Sequence, residues 1–188
     1  AAIFSGATPV FIDIDYNTGN LDTEVLKKKL IFLKKNKKKI KALVVTDYGG
    51  MPADWKELKK ISKKYKFTLV NDNCHAMGAK YFNNKKYAVK YSDFVIQSYH
   101  AVKNLTTGEG GAVLSNNKKI IKKIRKLKTH GVVRKNSNKP WLYEMESLGF
   151  NARITDFQCS LGISQLKKLD KVVKKKQKLA SIYSNHLR

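Results

Sequence analysis

Apolar positions along this chain switch between a period of two and a period near four, and the switches mark out its elements. Residues 9–15 (Pro-Val-Phe-Ile-Asp-Ile-Asp) read as a first strand. Asp22 caps a helix over 23–35. An apolar, β-branched run over 40–47 predicts a strand, Gly49-Gly50-Met51-Pro52 breaks the chain, and 53–65 is helical. Lys66-Phe67-Thr68-Leu69-Val70 reads as a short buried strand, and 94–97 and 111–114 add two more. Residues 118–128 place Ile120, Ile121, Ile124 and Leu127 on one helical face. The stretch 129–145 is polar and loop-like, with Gly131, Asn136, Ser137 and Pro140. Thr155-x-x-Gln158 is a capping box that starts a helix through 161–163. Beyond Asp170 a second basic helix, carrying Val172, Leu179, Ile182 and Tyr183, runs to Arg188. Strands alternating with helices at this spacing predict an α/β fold: a mostly parallel mixed sheet with helices on both faces. No internal repeat and no domain boundary is visible.

Composition narrows the class. A chain of 188 residues with 42% hydrophobic content can bury one sizeable core. No apolar run approaches the ~18 residues of a membrane span, so no membrane insertion is expected. Two cysteines, Cys74 and Cys159, do not make a disulfide framework, and a cytoplasmic location is expected. The first residues, Ala-Ala-Ile-Phe-Ser, are already apolar, so the chain reads as entered mid-domain.

The net charge of +25 raises a nucleic-acid or acidic-membrane partner. Its distribution argues otherwise. The basic residues are nearly all lysine, the arginines being Arg125, Arg134, Arg153 and Arg188. Bidentate recognition of bases and phosphates favours arginine. The lysines cluster on predicted helix faces, and no aromatic residues interleave them as a stacking platform requires. A solvated surface is expected and no nucleic acid, although the charge favours a polyanionic ligand at long range.

One lysine stands apart. Between Asp93 and Ser115, Lys103 is the sole Lys or Arg. It follows an apolar run and precedes the glycine-rich Thr106-Thr-Gly-Glu-Gly-Gly111. A lysine so placed is more easily desolvated, which favours the free amine, and a free amine condenses with an aldehyde. Asp72 follows the 67–70 strand and Ser98 follows 94–97, at the carboxyl ends where open α/β sheets bind ligands. The glycine turn itself is not a P-loop, since no Lys-Ser/Thr follows; an anion nest is the other reading.

Several stretches together resemble the DegT/DnrJ/EryC1/StrS sugar-nucleotide aminotransferases, pyridoxal phosphate (PLP) enzymes of fold type I. They are Gly6–Asp15, Asp47–Asp54, Asp72-Asn-Cys-His-Ala-Met-Gly-Ala79, Ser98-Tyr-His-Ala-Val-Lys103, and Leu148-Gly-Phe-Asn-Ala-Arg-Ile-Thr-Asp-Phe-Gln158. Within that family the chain is most similar to the branch that aminates a UDP-linked 4-keto-6-deoxy sugar for pseudaminic acid. The resemblance implies the roles residue by residue. Lys103 is the catalytic lysine that bonds PLP and then carries a proton as base and acid. Asp72 holds the pyridinium nitrogen, His75 meets the ring or its 3′-oxygen, and Ser98 meets the phosphate. Asn151 reaches a partner subunit's phosphate in a homodimer, and Arg153 is a further phosphate contact. No metal is implied. UDP-sugar and glutamate are the implied substrates.

The resemblance places an N-terminal segment and a C-terminal small domain outside these residues, which correspond to the central part of the PLP-binding large domain. Two departures are visible. The family's usual Glu-Asp-Ala is here Asn71-Asp72-Asn73, and the aromatic residue often found between Asn151 and Arg153 is Ala152. A sugar dehydratase of the same fold lacks the bonding lysine, so Lys103 argues against that alternative. His130 and Trp141 lie where a sugar nucleotide could be touched.

Overall fold

The computed structural model describes residues 1–134, 138–139 and 141–187. Asn136, Ser137, Pro140 and Arg188, named above in the loop and the last helix, lie outside the described residues. The chain is an α/β protein with a mostly parallel mixed sheet, in strand order β1-β2-β3-β4. It divides into two compact units, Ala1–Val95 and Ile96–Arg188.

The first unit holds the core. Helix α1 (Thr23–Lys35) starts where the Asp22 carboxylate accepts from the backbone N–H groups of Glu24 and Val25, at 2.7 and 3.1 Å. Those groups have no partner inside the helix, so the cap stabilises it by about 1 kcal/mol. Strand β1 (Ala42–Thr46) pairs in parallel with β2 (Thr68–Asp72), from Ala42 opposite Thr68 to Thr46 opposite Asp72. Between them α2 (Trp55–Tyr65) is capped by Asp54 and buries Trp55, Leu58 and Ile61. Lys66, left-handed at φ 57°, ends α2 and turns the chain toward β2. The short helix α3 (Tyr87–Tyr91) adds Tyr87 and Ala88. These side chains join Leu26, Leu30, Val45, Phe67, Leu69 and Val95 in one apolar cluster. Along β2 burial alternates, with Leu69 and Asn71 inward and Thr68, Val70 and Asp72 half-buried on the other side.

Strand β3 (Phe94–Ser98) is the one at which the two units meet along the chain. The second unit continues with β4 (Gly111–Leu114) and α4 (Lys118–Leu127), whose Asn117 cap accepts from Lys119 and Ile120. The antiparallel pair β5 (Val132–Val133) and β6 (Glu144–Met145) follows, and then α5 (Asp156–His186). The Thr155 and Gln158 side chains reciprocally satisfy each other's backbone N–H groups, as the capping box predicts.

Three expectations are corrected, and one further element was not anticipated. Residues 9–15 form no ladder strand. The Asp15 carboxylate takes hydrogen bonds from the Thr18 N–H and hydroxyl, which closes a tight turn, and the chain doubles back through one isolated bridge, Ile14 opposite Leu21. Local side-chain bonds have replaced the ladder. Helix α3 has no counterpart in the sequence reading, because its five residues are too few for a period to show. The polar stretch 129–145 contains the β5–β6 pair. The two terminal helices are one 31-residue helix, because Asp170 is a helix-tolerated residue with no glycine or proline beside it. Among the described residues no helix is long and apolar enough to cross a membrane, and no His, Cys, Asp and Glu cluster could hold a metal ion.

The buried tyrosine gives this unit a pH signature. Burial and the neighbouring Asp47 charge push the Tyr87 hydroxyl far above the usual tyrosine range, and burial pushes Tyr81 up to about 12. The folded chain therefore keeps protons that the unfolded chain loses near pH ~10, and stability falls as pH rises through that value. Urea unfolding at about pH 9 and about pH 11 is expected to show this decline, and Tyr87→Phe to flatten it. At neutral pH the same variant is expected to lose about 1–3 kcal/mol, since Asp47 loses a donor. An identical pH slope in parent and variant would refute the assignment.

Candidate functional site

At the carboxyl end of β1, Asp47 is completely buried. Its Oδ1 accepts from the Ala53 N–H at 2.9 Å and the Trp55 indole N–H at 2.7 Å. Its Oδ2 accepts from the amides of Asn71 and Asn73, at 3.2 and 3.0 Å, and from the Tyr87 hydroxyl at 2.6 Å. Five uncharged donors thus satisfy one buried carboxylate, which would otherwise be too costly to desolvate. The Asp47 N–H also donates to the Asp72 carbonyl at 3.1 Å.

Asp72 is the last residue of β2, half-buried on the face opposite Asn71. Only its Oδ1 is engaged among the described residues, by the Cys74 N–H at 3.2 Å. Three residues on, the exposed His75 ring lies 6.1 Å from the Tyr48 ring, centroid to centroid. The turn bearing Tyr48 is pinned by the buried Asn20, which accepts from the Tyr48 N–H at 2.9 Å and donates to the Met51 carbonyl at 3.0 Å. At Gly50, with φ +87°, a Cβ would stand 3.0 Å from the His75 carbonyl oxygen. The glycine here permits both the turn and this close approach.

In the second unit, Ser98 ends β3 and its Oγ accepts from the His100 N–H at 3.3 Å, leaving its own proton for another acceptor. Lys103 is half-buried in the bend that follows, its backbone N–H on the His100 carbonyl at 3.0 Å. The loop is tied down at several points. The Tyr99 N–H donates to Gly110, the Thr107 N–H donates to Tyr99, and Lys176 on α5 donates to Asn104 at 2.7 Å. The Thr107 and Gly108 amides are already committed, to the Tyr99 carbonyl and the Thr106 hydroxyl. The glycine turn is therefore a packed corner, and an anion nest there would lack those two donors. A Cβ on Gly111 would lie 2.7 Å from the Gln97 carbonyl oxygen, which is why the corner needs glycine. Asn151 is exposed, and its Oδ1 accepts from the Arg153 guanidinium at 2.9 Å. His130 and Trp141 are exposed loop residues.

The sequence-predicted residues thus fall into groups: Asp72 with His75 on one strand-end loop, Ser98 with Lys103 on another, and Asn151 with Arg153. The donor set fits pyridoxal phosphate. The first unit has a carboxylate with an oxygen unengaged among the described residues, as a ring nitrogen needs; the second has an amine for an aldehyde and hydroxyl, amide and guanidinium donors for a phosphate. Sequence reasoning missed the supports: Asp47, Asn20 and Tyr48. A polar residue at a strand end could have signalled Asp47, but nothing in the sequence names its five partners.

The family model described as "DegT/DnrJ/EryC1/StrS aminotransferase family" matches residues 1–188. The chain belongs to this family. It is 43% identical over 183 residues to the UDP-4-amino-4,6-dideoxy-N-acetyl-beta-L-altrosamine transaminase of Campylobacter jejuni subsp. jejuni serotype O:23/36 (strain 81-176), covering 97% of this chain and 46% of that one. Among solved structures of the family, it is similar to Helicobacter pylori PseC, an aminotransferase involved in the biosynthesis of pseudoaminic acid. The TM-score is 0.86 at 34% identity, over 97% of this chain and 46% of that one. It is also similar to the PMP-form of the putative sugar aminotransferase Spr1654 from Streptococcus pneumoniae, with TM-score 0.83 at 25% identity, over 97% and 50%. The chain spans about half the length of the curated relatives it matches.

The Gly50 contact is directly testable. Gly50→Ala is expected to cost about 1–3 kcal/mol in denaturant unfolding, since alanine is strained at this φ. It is also expected to shift the NMR signals of the His75 ring. An unchanged midpoint and unchanged His75 signals would show that the turn does not constrain the histidine loop.

Proposed function

We propose that the protein carrying this chain is a pyridoxal phosphate-dependent aminotransferase that moves an amino group, from glutamate, to a UDP-linked 4-keto-6-deoxy sugar. The observation that carries this is the 43% identity to a UDP-sugar transaminase along 97% of the chain. The residues named for the chemistry support it: a lysine in a loop otherwise free of basic side chains, and a strand-end aspartate with one carboxylate oxygen unengaged. On this reading the chain is the central part of the PLP-binding large domain.

When bound, pyridoxal phosphate supplies an aldehyde carbon and a pyridinium ring that withdraws electrons from it. The chain's residues do the rest. Asp72 keeps the ring nitrogen protonated by presenting its carboxylate at the end of β2. Lys103 would hold the aldehyde carbon, and its amine would move a proton at the reacting carbon as base and acid. Ser98 donates its hydroxyl to the phosphate, and His75 stands against the ring.

Asn151 serves the phosphate of a neighbouring subunit in a homodimer, with Arg153 orienting its amide. Exposed apolar side chains flank this asparagine: Leu148 at 88%, Phe150 at 70% and Phe157 at 91% exposed. These exposed apolar side chains support an interface with a neighbouring subunit. A cytoplasmic enzyme acting on a nucleotide sugar fits the reading.

Two measurements on the complete protein test this. Borohydride reduction with PLP, followed by peptide mapping, is expected to label Lys103, and Lys103→Ala to lower turnover by about 10²–10⁴-fold. Label on a helical lysine instead would sink the role. Asp72→Asn is expected to retain PLP but to slow amination. For the dimer, mixing Lys103→Ala with Asn151→Ala subunits is expected to restore part of the activity. No recovery, with hybrid dimers shown to form, would place both residues in one subunit's site.

A further inference from the structure

We infer that Asp47 is a positioning residue that sets the Asp72 carboxylate by gripping the residues on either side of it. This deepens the proposed function, resting on the reading of Asp72 as the ring partner. The grip has three points. The Asp47 N–H binds the Asp72 carbonyl at 3.1 Å, and Asp47 Oδ2 takes the Asn71 and Asn73 amides at 3.2 and 3.0 Å. Side chains alternate along a strand. Drawing 71 and 73 inward therefore turns 72 outward, and the burial of Asn71 and Asn73 beside a half-buried Asp72 follows that alternation.

Asn71 and Asn73, on either side of Asp72, are among the departures from the family pattern noted in the sequence. The buried carboxylate gives both amides an acceptor. A glutamate at 71 would set one carboxylate against another, and an alanine at 73 has nothing to donate. The orientation of Asn71 bears the same mark, since its carbonyl oxygen is buried with no partner among the described residues. Flipping the amide would set that oxygen against Asp47 Oδ2, acceptor facing acceptor with no proton between them. The carboxylate thus dictates which way the amide points. Asp47, Asn71 and Asn73 act as one set.

The Cys74 N–H donates to Asp72 Oδ1, so its hydrogen exchange reports how firmly Asp72 is held, with or without a cofactor. In the complete, cofactor-free protein, Asn73→Ala is expected to speed Cys74 exchange by about tenfold or more. Exchange at Leu26 and Leu30 of α1 should stay within about twofold of the parent. Trp55→Phe removes a different donor, the indole N–H on Asp47 Oδ1, and leaves both asparagines with their partners. It is expected to lower the thermal midpoint without speeding Cys74. In the PLP-loaded protein, Asn73→Ala should also lower kcat with little change in KM for the amino donor. Cys74 exchange no faster in Asn73→Ala than in the parent would overturn the inference. Equal acceleration by Trp55→Phe would overturn it too, as mere loosening. Should Asn73→Ala not fold, Asn73→Ser, whose hydroxyl is too short to span the gap, is read by the same criteria. A parent that fails to bind PLP while Cys74 responds as expected would remove the proposed function and leave the positioning role of Asp47 standing.

Discussion

A charge with no exposure to water must be solvated by the protein itself, and Asp47 sets that requirement for the first unit. Its five donors come from the backbone before α2, from Trp55, from β2, from the loop after β2 and from α3. Removing a donor leaves a buried acceptor short, at a cost well above that of an ordinary surface bond. Trp55 and Tyr87 are also among the largest fully buried side chains. The apolar cluster and the carboxylate thus share the same two residues, so each stabilises the other. That coupling carries the loop after β2, and with it Asp72 and His75.

The two units differ in what they bury. The apolar cluster lies in the first unit, whereas in the second the buried side chains among the described residues include Leu105 and Thr107, both in the lysine loop. Large apolar residues elsewhere in the second unit stand in solvent, among them Phe157, Ile163 and Leu166 of α5. The lysine loop is therefore held by polar bonds more than by packing, with Gln158 and Lys176 of α5 reaching Glu109 and Asn104. The lysines themselves work mainly as a solvated coat. Ion pairs such as Lys27 with Glu24 and Glu57 join α1 to α2 at the surface, and there salt screens them.

The candidate site was legible to the extent that its chemistry resides in single residues. Lys103 stands out because its neighbours lack charge, Asp72 and Ser98 because strand ends bind ligands, and the family motifs add His75 and Asn151. The supporting residues were not legible. Asn20 reaches Tyr48 and Met51 across 28 and 31 positions, and Asp47 reaches Tyr87 across 40, with no short-range pattern to announce either. Asn71 and Asn73 read in the sequence only as departures from a pattern.

The sequence by itself determined the α1 span, its Asp22 cap, the Thr155–Gln158 capping box and the positions of β1, β3 and β4, to within a residue or two at most ends. Caps and periodicities act over one to four residues, so local chemistry suffices to specify them. It erred where an element depends on what lies across from it. Residues 9–15 have strand composition but close a local turn, and α3 owes its helix to the burial of Tyr87 rather than to any period of its own. Tertiary structure alone decided which way Asn71 and Asn73 point, because that choice belongs to a carboxylate more than twenty residues away in the chain.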